Sequence, residues 1–233
     1  MHVIYEGMFN YGETYNIRRL TLKDIERILL LQADAFHSLE KKDMLSTLSR
    51  KEYTHILSSH GLMLGVFVHG QLVAYRALLI PNIEDPEHLG YDIGLTEKEL
   101  STVIYQEISV VHPKYRGNGL QQTLARFIMK ELTKQYQRYR YVCCTVAPFN
   151  IPSLKDKFRQ KMTIVSLKEK YDHQLRYIFM KDLRSGRLNA WETIQSVDMS
   201  DITYQQYLLR HGWVGFDMKE QHNDYHVLYG KNE

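Results

Sequence analysis

Cysteine is scarce in this 233-residue chain: the two copies, Cys143 and Cys144, are adjacent in an apolar run. Neighbouring strand residues point to opposite faces, so no disulfide is expected between them, and a reducing compartment fits better than a secreted one. Runs of lysine and arginine are missing too. With a formal charge of +3 the chain lacks the footprint of a nucleic-acid binder, and no nucleic-acid partner is expected. Apolar runs are short, well under the roughly 20 residues that a membrane helix needs. The opening MHVIYEGMFNYGETYN has no basic segment leading into an apolar stretch, so no signal peptide is expected. These absences lead to the expectation of a soluble cytoplasmic protein with no membrane partner.

What is present suits a globular domain: 44% hydrophobic and 24% charged residues can build a substantial core. Tyrosine is frequent at 17 copies, a residue that packs with its ring and bonds with its hydroxyl. A strand is expected from Tyr15 to Leu20. Thr21-Leu-Lys-Asp24 then resembles a helix cap, and Ile25, Ile28, Leu29 and Gln32 share one helical face over 22–36. A second helix is expected from Leu48 to Ser59. Leu62–Val68 and Leu72–Ile80 read as a hairpin turning at Gly70. Residues 81–100 hold two of the five prolines and read as a long loop that could border a substrate site.

Further along, Val103–Val111 is a β-branched strand, and Leu120, Leu124, Phe127, Ile128 and Leu132 mark a helix. Tyr141–Val146 is another strand, and Asn150–Gln160 another helix. Strands follow near 162–167 and 175–182. Residues 184–233 add a strand-like stretch, a helix at 201–210 and strands near 213–218 and 225–229. The order predicts a mixed α+β fold with antiparallel hairpins rather than a βαβ repeat.

The segment E-I-S-V-V-H-P-K-Y-R-G-N-G-L-Q-Q-T-L, from Glu107 to Leu124, carries the chemistry. A strand ends, His112-Pro113 stops it, Arg116-Gly117-Asn118-Gly119 turns tightly, and a helix opens. Glycines let backbone amides converge, and a helix start adds unpaired N–H groups and a positive dipole end, a geometry suited to pyrophosphate. The spacing fits neither a Walker loop nor G-x-G-x-x-G. From the residues alone, an anion-binding turn and a plain strand-to-helix turn both remain open.

This segment resembles the GCN5-related N-acetyltransferase (GNAT) superfamily, whose cofactor motif is Gln/Arg-x-x-Gly-x-Gly/Ala after a strand. Arg116 and Gly119 match, while Gln121 stands at the Gly/Ala position. The family's next segment, a strand followed by Asn and a small residue three places later, matches Val142 to Ser153 with Asn150 and Ser153. The resemblance spans roughly 15–182. It implies a largely antiparallel twisted sheet flanked by helices, with a GNAT-like domain over 15–183 and an α/β extension over 184–233 packed on that core or on a partner.

It also implies roles. Ser109, Val110 and Val111 would offer backbone groups to pantetheine, with an amide near Val111 as oxyanion donor. The amides of Gly117, Asn118, Gly119, Leu120, Gln121 and Gln122 would hold the pyrophosphate of acetyl-CoA, with Arg116 nearby. Asn150 would bond the pantetheine arm, and Ser153 would permit its close approach. Glu107 is the candidate base, nominally on the same strand face as Tyr105, Ser109 and Val111. The family's tyrosine acid, seven residues after the motif asparagine, is replaced by Lys157, expected as a surface residue; Tyr105 and Tyr115 are alternative donors.

Other signals carry less. His222 and His226 flank a turn and lack a third ligand, so no metal is expected. Cys143 and Cys144 read as one core and one cleft-facing residue. Tyr204, Tyr207 and Leu208 form a packing face that a homodimer could use, and Arg184 to Arg187 reads as a solvated turn. The leading expectation is an acetyl-CoA-dependent N-acetyltransferase acting on an amine of a small molecule or protein. An acyl-CoA-binding module without catalysis is the alternative, and a structural α+β protein is a third reading.

Overall fold

The computed structural model of the protein describes residues 2–39, 46–135, 138–171, 173–185 and 191–232. They form two compact units, one from 1–80 and 105–137 and the other from 81–104 and 138–233. In the first unit, β1 (Val3–Met8), β2 (Thr14–Arg19), β3 (Gly61–Val68), β4 (Gln71–Leu79) and β5 (Val103–Val111) pair antiparallel in chain order; the first two residues of β5 count with the second unit. The strand β1 was not apparent from the sequence. Its burial alternates only weakly, because it is an edge strand paired on one side with β2.

α1 (Ile25–His37) starts where a short 3-10 turn ends at Asp24. Asp24 accepts from the Thr21 amide at 2.9 Å and pairs with Arg18 at 2.7 Å, so its buried carboxylate is compensated. Ser49 and Glu52 form a reciprocal cap that opens α2 (Arg50–Leu57). Ile28 and Leu31 of α1 and Tyr53 and Ile56 of α2 share a core with Met63, Tyr75, Ala77, Ile108 and Val110 of the sheet. α4 (Leu120–Gln135) packs on β3 and β4, with Leu124, Ile128 and Leu132 fully buried. Each such side chain contributes about 1.5–3 kcal/mol.

The second unit holds β6 (Tyr141–Val146), β7 (Thr163–Lys170), β8 (Gln174–Asp182), β9 (Thr193–Asp198), β10 (Val214–Gln221) and β11 (Asp224–Lys231), ordered β6-β8-β7-β10-β11-β9. Its helices are α3 (Leu89–Asp92), α5 (Ile151–Arg159) and α6 (Ile202–Arg210). The expected long loop of 81–100 is in fact anchored. Lys170 lies 3.1 Å from Asp92 and donates to the Glu87 carbonyl at 2.8 Å, and Lys168 also pairs with Asp92.

Residues beyond 184 are built into this unit's core. Gln205 of α6 is fully buried and accepts from Tyr177 of β8 at 2.6 Å and from Tyr229 of β11 at 2.9 Å. The Arg184-to-Arg187 turn reaches into 186–190, outside the described residues.

Candidate active site

In the first unit, the pairing of β5 with β4 sets Ile108 opposite Ala77 and Gln106 opposite Leu78. Glu107 is therefore the extra residue of a bulge, and the expected alternation of Tyr105, Glu107, Ser109 and Val111 along one face breaks there. A bulge re-aims its side chain, and nothing in V-I-Y-Q-E-I-S-V-V announces one.

Burial pushes the Glu107 carboxyl up to about 7, and the neighbouring Glu52 carboxylate adds to the rise. The Tyr53 hydroxyl is raised above the usual phenol range, first by burial and then by charges that include Glu107, so the carboxylate lies within electrostatic reach of α2. Tyr53 donates to Gln32 Oε1 at 2.5 Å, and its single proton is thereby used. Across the 2.5 Å contact between the two hydroxyls, Tyr75 must then be the donor. Gln32 also clasps both backbone groups of Leu48 at 2.9 Å. This Gln32–Tyr53–Tyr75 chain was not read from the sequence, where the three residues appear only as members of helical or strand faces. Tyr105 is buried, at 9% exposure.

Past β5, the His112 amide still donates to Val73 at 2.9 Å, and a 3-10 turn over Pro113–Tyr115 leads into the glycines. Gly117 and Gly119 have φ of +82° and +70°, and a Cβ at either position would meet nothing within 4 Å. Glycine is required there by backbone angle, and the turn's outer side is open. The first backbone bond of α4 runs from Thr123 to Gly119 at 3.0 Å, so the amides of Leu120, Gln121 and Gln122 precede the helical ladder.

Individual side chains do not all serve as expected. Asn118 braces the turn from within, donating to the Tyr115 carbonyl at 3.2 Å, and Leu120 buries its side chain, leaving only its amide to offer. Arg116 reaches to Ser38 Oγ, just past the end of α1, at 2.8 Å. On β5, Val110 is buried and Val111 half-buried. Ser109 Oγ is buried without a hydrogen-bond partner among the described residues. An open amide cradle and an orphaned hydroxyl on the preceding strand both fit an acyl-CoA.

The second unit carries the other motif. Asn150 caps α5, its Oδ1 accepting from the Ser153 amide at 3.3 Å, and Ser153 is half-buried. Cys143 and Cys144 are both buried, so neither faces a cleft, and burial pushes the Cys143 thiol upward. Lys157 is not a surface residue. It is 8% exposed, and its ammonium lies 3.3 Å from the equally buried Asp156. The spacing of α5 explains this: Leu154, Asp156, Lys157 and Phe158 are all buried, a face too wide to be read from Leu and Phe alone.

No family model matches the sequence, and no curated protein matches it. Solved structures do. The ribosomal-protein-S18-alanine N-acetyltransferase of Escherichia coli superposes with a TM-score of 0.54 at 14% identity, covering 76% of this chain and 99% of that one. NAA60 of Arabidopsis thaliana, solved with acetyl-CoA, gives 0.58 at 15% identity over 72% of this chain and 98% of its own. The GNAT domain of the S. lividans PAT protein gives 0.52 at 16% identity, covering 77% and 96%. The chain has the GNAT fold. That GNAT fold is mixed α+β, with largely antiparallel sheets flanked by helices, as the motifs implied. At these identities the likeness speaks for the fold alone, and function must be argued from the residues.

Proposed function

We propose that the protein is an acetyl-CoA-dependent N-acetyltransferase acting on a primary amine of a small molecule or protein. The observation that carries this reading is the Gly117–Gly119 turn, sterically open and placed between a buried strand and a helix N-terminus in a GNAT fold. Amides of Gly117 to Gln122 would hold the pyrophosphate, and Ser109 on the preceding strand would meet the pantetheine arm. When bound, acetyl-CoA supplies an acyl carbon activated as a thioester.

Glu107 suits the role of base, because a carboxyl titrating near 7 can accept a proton from an ammonium at neutral pH. The acceptor nitrogen then forms its bond to the acyl carbon as the carbon–sulfur bond breaks. The test is thiol release from acetyl-CoA across a panel of amines, beside a direct titration of CoA. Binding with turnover supports an enzyme. Binding without turnover supports the second reading, an acyl-CoA-binding module, which the ion-paired Lys157 in the tyrosine's place favours. Absence of both sinks the cofactor assignment.

A further inference from the structure

Residues 193–231 repeat residues 142–181 element for element. α5 (Ile151–Arg159) recurs as α6 (Ile202–Arg210) and β7 (Thr163–Lys170) as β10 (Val214–Gln221), each 51 positions on, and β8 recurs as β11, 50 positions on. The register agrees pair by pair. Thr163–Met180, Ile164–Phe179 and Ser166–Ile178 return as Val214–Gly230, Gly215–Tyr229 and Asp217–Leu228, with the same bulge after the second pair. At the helix starts, Asn150 and Asp201 each accept from the amide three residues on, with ψ of 70° and 72°. The copies meet at equivalent residues, Ile164 opposite Gly215, and exchange helices, α5 packing on β10 and α6 on β7. That is the geometry of a two-fold contact. Few identities survive, among them Ile151 with Ile202 and Lys168 with Lys219, so no period shows in the sequence.

Each copy covers one face of its strands with its own helix. Phe158 of α5 packs on Phe179 at 5.2 Å, and Gln205 of α6 bonds Tyr229, which stands at Phe179's place. The opposite faces differ. In the first copy α3 packs on β6 with Leu89 buried, and Asp92 pairs with Lys168 and, at 3.1 Å, with Lys170. Cys143 and Ile178, which point to that side, are fully buried. In the second copy Ile194 takes the place of Cys143 and is 57% exposed, and Leu228, at Ile178's place, is half-buried. Lys219, at Lys168's place, is exposed and makes no ion pair among the described residues. Trp191 extends this apolar surface, lying against Gly230 and stacking on Phe216 at 5.5 Å.

We propose that the open face of residues 191–231 is a docking surface for an acidic segment of a partner protein, one that presents a leucine and an aspartate a helical turn apart. Leu89 and Asp92 do this to the first copy, so the twin face says what chemistry the open one accepts. The leucine covers Ile194 and Leu228, and the carboxylate meets Lys219. Asp217, where the first copy has Ser166, opposes an acidic partner and holds the contact weaker than its intrachain twin.

The probe is a synthetic peptide of residues 81–100, the acidic segment that carries Leu89 and Asp92, titrated calorimetrically into the full chain and its variants. Melting temperatures are measured alongside. The parent should bind the peptide saturably. Lys219→Glu and Ile194→Ser, both at exposed positions, should each weaken binding by about fivefold or more without lowering the melting temperature. Asp217→Ser should tighten it, and Asp92→Asn within the peptide should weaken it. A parent that does not bind the peptide overturns the proposal. So does binding that Lys219→Glu and Ile194→Ser leave unchanged, because the peptide would then be replacing its own segment on the first copy.

Discussion

Glu107 sits in a bulge beside α2 with a carboxyl that titrates near 7, and this single residue sets two pH dependences of opposite use. As a base it must be ionised. For an acceptor presented as an ammonium, kcat/KM should rise about tenfold per pH unit below 7 and level off above it. Glu107→Gln should remove that limb and lower kcat by about a hundredfold or more while CoA affinity stays within about twofold. A parent profile flat from pH 5 to 8 would argue against the assignment. Stability runs the other way. The folded pKa lies above the unfolded one, so the folded state binds more protons between about 4.5 and 7 and loses stability as pH rises through that window. Glu107→Gln should therefore be more stable than the parent above pH 7, by up to about 3 kcal/mol, with the gap closing toward pH 4.5. Denaturant melts at both ends of that range check the sign.

At the scale of elements, α5 is the helix whose reading changed most. Lys157 and Asp156 are buried together, and Gln160 Nε2 donates at 2.9 Å to Oδ2 of Asp156, the oxygen that faces the ammonium. Removing the ammonium leaves a buried carboxylate without its cation, so Lys157→Met should cost about 2–4 kcal/mol. Asp156→Asn in the same chain should restore part of that loss. Strictly additive effects of the two changes in a double-mutant cycle would mean the pair is not coupled.

Helix and strand positions were legible wherever apolar residues kept one period. This holds for α1, α4 and β3 to β8, and for the glycine turn, whose backbone requirement is written directly in Gly117 and Gly119. Three features were not legible because periodicity does not encode them. The edge strand β1 buries too little to show a pattern, and a bulge is a register event between two strands. The Gln32–Tyr53–Tyr75 chain joins residues far apart in sequence through hydroxyl and amide groups that hydrophobic patterning ignores.

On the scale of the whole molecule, the segment beyond 184 stands out. It supplies Gln205 to Tyr177, Met199 to the turn before Asn150, and a tight approach of Gly230 to Trp191, where a Cβ would come within 2.3 Å of the indole. We propose that it folds with the 15–183 segment as a required extension, so truncation after Leu183 should give an insoluble or much less stable protein. A soluble monomer with the parent's melting temperature would show it to be dispensable.

The claim on which the account rests is that the glycine turn holds an acyl-CoA pyrophosphate. Its most direct test is calorimetric titration of CoA into the parent and into Gly119→Asp. A side chain here meets no neighbour and is strained only by the φ of +70°, an angle that aspartate tolerates better than most residues, while the added carboxylate confronts the phosphates. The expected result is saturable binding by the parent and at least about a tenfold weaker constant in the folded variant, a difference of ~1.4 kcal/mol. Equal dissociation constants in two folded proteins would contradict it.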